Sequence, residues 1–269
     1  MSILKTILTL VFCVTSFTIK AQTINTDRPS QTFSTLNLQK GQFQVETGVQ
    51  RSVLRFSPID SRQPGTYVSQ SSKWDIPNVA LRWGLSDFLE LRFATQHAII
   101  TDTYTHPNDS ISPMSNPWDF GSPEFGVKFK FLHLEEKNIH GGMVMHVGLP
   151  SSESNIGSDK SYFFYALNFS YPIGEKSSLA HTVQLSQIDD TEMFKFTAMY
   201  SKELTENTQL FFEFYRDIVP KGKGITSSYF DLGLTHRLTD KLQLDWHYGH
   251  GLNQSFNMMG LGFSSLISQ

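Results

Sequence analysis

Lys241-Leu242-Gln243-Leu244-Asp245-Trp246-His247-Tyr248 alternates without a break, apolar or aromatic at every even position and charged or polar at every odd one. A β-strand has period two, so this stretch carries one greasy face and one wet face. Toward the N-terminus the pattern recurs in about a dozen segments of roughly ten residues, the length a tilted membrane-spanning strand needs. The predicted strands are 42–51, 75–84, 88–98, 122–132, 140–149, 161–171, 178–187, 193–202, 208–217, 227–237, 241–250 and 257–267. A soluble sandwich alternates too, but its greasy faces must find each other in a core. The export signal, the strand number and the rhythm of the connections favour an all-β, antiparallel transmembrane barrel whose greasy face lies in lipid.

Segregation of charge carries that reading. One face of the predicted strands holds Phe43, Val45, Leu81, Trp83, Phe125, Phe129, Leu167, Phe212, Leu244, Trp246 and Leu261, almost without charge. An Arg or Lys placed there at mid-depth would cost about 2–4 kcal/mol. The opposite face holds Glu46, Arg82, Glu90, Arg92, Glu124, Lys128, Lys195, Glu213, Asp231, Arg237, Asp245 and His247. Charges of both signs survive only in a hydrated or mutually paired interior. These twelve are the candidate lumen and selectivity residues, with Arg237 the expected counter-ion of Asp231 and Asp245.

Composition bounds the alternatives. The 22 Phe, 9 Tyr and 4 Trp lean toward β structure. After residue 21 no apolar run approaches the ~20 residues of a membrane helix, so a spanning chain must close into a barrel to pair its backbone. Residues 1–21 read as a secretory signal: Lys5, an apolar stretch from Ile7 to Phe17, and the small Ala21 before the cut. The lone Cys13 lies inside it, leaving the mature chain without thiol chemistry. The signal removes two of 22 basic residues and none of 25 acidic ones; an acidic mature chain argues against nucleic-acid binding.

The connections alternate in length. Gly84–Asp87, Leu132–Ile139, Pro172–Ser177, Lys202–Asn207 and Arg237–Asp240 are compact and suit periplasmic turns. Ser52–Trp74, Ile99–Gly121 and Pro150–Lys160 are long and suit extracellular loops. The tight connection near Ile188–Glu192 breaks the rhythm, so ten or fourteen strands remain open beside twelve. Residues 22–40 lack strand periodicity and precede the barrel, 41–269. Within them Asp27, Arg28 and Pro29 are plug candidates that could tuck into the periplasmic mouth and pair with lumen charges; a mobile leader is the competing reading.

No catalytic, metal or cofactor site is expected. His247 and His250, three apart on a strand, face opposite ways, and His247 is expected to hydrogen-bond beside Asp245. An outer-membrane hydrolase would need a nucleophile, base and orienting residue on adjacent strands; the His247-to-Gly251 segment lacks the Ser-Asn that would carry that chemistry.

Four segments resemble a known family: Thr26-Asp27-Arg28-Pro29; Lys40-Gly41-Gln42-Phe43-Gln44-Val45-Glu46-Thr47-Gly48; Gly121-Ser122-Pro123-Glu124-Phe125-Gly126-Val127-Lys128; and the hairpin from Asp231 to Asn253. The chain resembles the outer-membrane "transporter" proteins grouped under the meta-pathway of phenol degradation. The resemblance spans the mature chain and implies a Gram-negative outer-membrane barrel for small solutes, aromatic or hydrophobic ones included, with no catalytic residues. The terminal Ser-Leu-Ile-Ser-Gln departs from the aromatic end common in such barrels. The expectation is a monomeric barrel in outer-membrane lipid, inserted by the barrel assembly machinery, passing a small solute by passive diffusion. The opposing class is a lumen-filled structural or surface-interaction barrel.

Overall fold

The computed structural model describes residues 24–56, 67–105, 111–115, 118–151, 156–188, 191–220, 222 and 224–267; the predicted signal lies outside the described residues. The strands are β1 (Phe43–Arg55), β2 (Tyr67–Ser86), β3 (Leu89–Thr105), β4 (Ile111–Ser115), β5 (Asp119–Phe120), β6 (Glu124–Leu134), β7 (Ile139–Gly148), β8 (Tyr162–Gly174), β9 (Ser177–Ile188), β10 (Thr191–Glu203), β11 (Thr208–Ile218), β12 (Ser227–Thr239), β13 (Leu242–Gly251) and β14 (Ser255–Ile267). Twelve of them close an antiparallel barrel. The ring is sealed between first and last strands, where all of β1, from Phe43 opposite Ile267 to Arg55 opposite Ser255, pairs with β14. The short β4 and β5 pair only with β3. Twelve wall strands settle the count, and both ends of the wall sequence lie at the short-turn end.

Each predicted strand is present, with two corrections. The segments expected as long loops are partly strand: β2 begins at Tyr67 and β3 runs on to Thr105, pairing as far as Tyr67 opposite Thr105. Period two fades there because neither face needs lipid, while Ile99, Ile100, Thr101 and Thr103 keep their β preference. Among the bulges that shift the parity, three bear on the site: between Asp75 and Asn78, between Lys130 and Leu132, and between Arg237 and Thr239. Each moves the residues downstream of it to the other face.

Inside and outside divide as the pattern predicts. Trp83, Phe125, Phe131 and Leu261 stand on the outer wall about half exposed, whereas Glu46, Arg82, Glu90, Lys128, Glu213, Asp231 and Asp245 are buried. This inversion of a soluble protein leaves the conventional apolar core small. Its two clusters are Ile24–Leu38–Leu266 and Val144–Phe164–Ala166, the latter packed by Phe33. Ile24, Phe33 and Leu38 come from the segment before β1.

Candidate functional site: a lumen crossed by the N-terminal segment

Residues 24–42 enter and leave at the short-turn end and loop through the interior between. Ile24 N–H donates to Asp240 O, and on the way out Gly41 N–H donates to Gly84 O. The loop closes on itself: Asn25 Nδ2 donates to Leu36 O at 3.1 Å and Ser34 N–H to Asp27 Oδ1 at 2.7 Å. Such internal bonds give a polar, aperiodic segment a fixed shape without a sheet to join.

The wall holds this loop through buried charge. Arg82 on β2 is fully buried and forks onto Glu90, Nε to Oε1 at 2.8 Å and Nη2 to Oε2 at 3.0 Å, while its Nη1 reaches Glu46 Oε1 at 2.8 Å and Asn25 O at 2.8 Å. Glu46 Oε2 accepts the backbone N–H of Asp27 at 3.2 Å and of Arg28 at 3.3 Å. Asp27 pairs with Arg92 and stands 3.9 Å from Lys128 Nζ. Lys128 Nζ donates to Leu36 O at 2.8 Å, and Leu38 N–H to Glu90 Oε2 at 3.0 Å. Three acids (Asp27, Glu46, Glu90) thus face three bases (Arg82, Arg92, Lys128). The cluster is neutral, and its hydrogen bonds end on the loop's backbone.

Arg28 makes the second anchor. Its guanidinium takes Asp245 through Nε–Oδ2 at 3.3 Å and Nη2–Oδ1 at 3.2 Å, and Asn78 Oδ1 at 2.7 Å. It fits because Gly48 and Gly262, directly opposite each other on β1 and β14, have no side chains. A Cβ on Gly48 would come 2.4 Å from Arg28 Nη2, and one on Gly262 would come 2.3 Å from it. Beyond Pro29, which is buried, the loop reaches the far wall. There Glu213 accepts Gln31 N–H at 2.8 Å and Thr32 Oγ1 at 2.5 Å, and Thr32 Oγ1 lies 2.6 Å from Thr197 Oγ1. Phe33 stacks on Phe164, ring centres 6.0 Å apart, with the Arg92 guanidinium 5.6 Å from its own.

Most of the predicted lumen residues face inward, and Asp27, Arg28 and Pro29 lie among them. Arg237 is inward too, opposite Gln243, but at the rim and apart from the paired charges. It sits at the short-turn end beside the third bulge, donating to Glu206 O and Asn207 Oδ1. It is not the counter-ion of the aspartates: Asp245 has Arg28, and Asp231 has His247, Nδ1 to Oδ2 at 3.2 Å. His247, inward beside Asp245 as expected, takes Asp231 on the neighbouring strand as its hydrogen-bond partner. Lys195 Nζ stands 3.5 Å from Asp217 and 3.3 Å from Gln31 Oε1. Glu124 accepts from Tyr162 Oη at 2.6 Å and lies 3.0 Å from His146 Nδ1. The reading from sequence missed the neutral contacts Asn78, Tyr162, Asn168, Thr182 and Thr197. Their signal was an uncharged polar residue at an inward strand position, which alternation alone does not distinguish from plain solvation.

The loop divides the lumen. Toward the long-loop end lie adjoining cavities of about 260 and 340 Å³ that share Gln96, Ser122, Glu124 and Tyr162. The larger adds Phe164, Gln184, Ser186 and Met193. Toward the short-turn end a cavity of about 320 Å³ runs between residues 24–36 of the loop and His140, Ser170, Tyr171 and Phe211.

No protein-family model and no curated protein matches the chain. Solved structures do. An outer-membrane channel from Pseudomonas putida F1 is 13% identical, with 89% of this chain and 100% of that chain covered and a TM-score of 0.58. The NanC porin is 8% identical over 82% and 98% of the two chains, TM-score 0.50. The transport unit of the autotransporter AIDA-I from Escherichia coli is also 8% identical, over 96% of each, TM-score 0.52. At such identities the likeness is one of fold: this chain is built as an outer-membrane β-barrel.

Proposed function

We propose that the chain is a Gram-negative outer-membrane channel, not an enzyme, through which a small solute diffuses passively once residues 24–38 shift within the lumen. The observation that carries this is the internal loop itself: a closed wall encloses cavities on both sides of one hydrogen-bonded segment. Nearly every lumen charge is spent on a partner, so no ring of free charge selects ions in the closed state. The long-loop cavities combine Tyr162, Phe164 and Met193 with amides and hydroxyls. That lining suits an uncharged solute with an apolar face and a few hydrogen-bonding groups. The resemblance of the sequence to the phenol meta-pathway transporter family is consistent with such a solute. A monomer in outer-membrane lipid, inserted by the assembly machinery, completes the proposal.

The test is planar-bilayer recording on the folded mature barrel and on a variant lacking residues 22–36. We expect discrete, salt-dependent steps that become larger or more frequent on deletion. Unchanged conductance together with unchanged thermal stability would sink the role given to the loop. The buried ion pairs also favour a second reading, a permanently sealed barrel whose surface loops do the work. Silence from folded protein both with and without the segment would move that reading ahead.

A further inference from the structure

The β6–β7 hairpin at the short-turn end carries two histidines that the transport reading does not use. The bulge between Lys130 and Leu132 turns His133 to the inner face, directly opposite His140. Their Nδ1 atoms lie 2.8 Å apart. The rings are inclined by 25° with centres 4.7 Å apart, offset so that the two Nδ1 atoms form the near edges of the pair.

Both outer nitrogens meet oxygen atoms. His133 Nε2 lies 3.2 Å from Glu135 Oε1, and a carboxylate only accepts, so this nitrogen carries the hydrogen. His140 Nε2 lies 2.8 Å from Asn138 Oδ1, also an acceptor. Asn138 caps the tight turn at 135–137 in the left-handed region at φ 50°, its N–H on Glu135 O, a conformation Asn tolerates. With both outer nitrogens donating, the two Nδ1 atoms at 2.8 Å share a cation between them: a proton when one ring is charged, a metal ion when both are neutral. Metal-bound histidines commonly donate their other N–H to a carboxylate or carbonyl oxygen, the role Glu135 and Asn138 fill here.

We propose that His133 and His140 form a two-histidine site for a divalent transition cation of the zinc or copper type, for which imidazole is a suitable ligand. Two nitrogens on a tetrahedral zinc stand roughly 3.3 Å apart, so the rings need part by only about half an ångström. Half-exposed His133 has room to do so, its side chain being 37% accessible. Among the described residues no three His, Cys, Asp or Glu side chains gather to hold a metal. The remaining positions fall to water or to a donor atom of a passing solute, because His140, Asn138, Ser170 and Tyr171 line the cavity at this end of the lumen.

The test is calorimetric titration of the folded mature barrel, prepared without a histidine tag, with Zn²⁺ at pH 7.5, above the ordinary imidazole pKa of about 6.5. We expect one ion per barrel and at least a tenfold loss of affinity in His133→Phe or His140→Phe. Glu135→Gln should weaken binding by about tenfold, and Asn138→Asp, which can only accept, should hold or strengthen it. No uptake by the parent barrel, or uptake equal in the double Phe variant, overturns the site. If His140→Phe does not fold, His133→Phe on the more exposed partner carries the comparison, with heat-modifiable migration as the check on folding.

Discussion

Arg82 is the residue on which the lumen is organised. Its guanidinium serves Glu46, Glu90 and the backbone of the internal loop while wholly withdrawn from water. Arg82→Met leaves two buried carboxylates without their partner, which typically costs about 3–5 kcal/mol. The double change Arg82→Met, Glu90→Gln removes one charge of each sign, keeps the cluster neutral and should cost less. Urea unfolding of both variants in lipid vesicles checks the order; a double variant no more stable than the single one would contradict it. Gly262 works by absence. Gly262→Val drives carbon into the Arg28 slot, so it should release the Arg28–Asp245 pair and raise open probability in bilayer recordings. Equal open probability in the two barrels would mean that Arg28 does not hold the loop closed.

Among the elements, the β11–β12 hairpin places Glu213 directly opposite Asp231, both buried. Like charges so placed destabilise a sheet. Against this, Glu213 accepts two hydrogen bonds from the loop. Glu213→Gln keeps one acceptor and relieves the repulsion, so barrel stability should stay within about 1 kcal/mol of the parent. Thr32→Val removes the loop's hydroxyl donor without a carboxylate's compensation and should cost about 1–3 kcal/mol. The two unfolding curves together separate repulsion from anchorage, and a larger loss in Glu213→Gln would reverse the assignment.

The wall was legible in the sequence because lipid outside and charge inside force strict alternation wherever a strand crosses. Legibility ended where that constraint ends. Past Trp74 and Ile99 the hairpin β2–β3 continues without an apolar face, and only its β-branched residues betray it. The bulges at Lys130 and Arg237 were invisible because one extra residue changes facing without changing composition. Asp27 and Arg28 stood out as the only charges between residues 22 and 39. Their partners Glu46, Arg92 and Asp245 could not be paired from sequence, since contacts between 18 and 217 residues apart leave no local pattern.

At the scale of the whole molecule, the proposed channel requires two states of a closed wall and an internal loop: loop in place, or loop displaced. The mature chain's expected freedom from cysteine makes the states separable. Thr32 and Thr197 touch at 2.6 Å through their hydroxyls, a geometry that a Thr32→Cys, Thr197→Cys pair can bridge. Single-channel conductance of that double variant, oxidised and then reduced in the same bilayer, asks whether displacement of the loop opens the path. Discrete steps are expected from the reduced barrel, with their loss on oxidation and their return on reduction. Identical steps in the locked barrel, or none from reduced and folded protein, would contradict a gating loop.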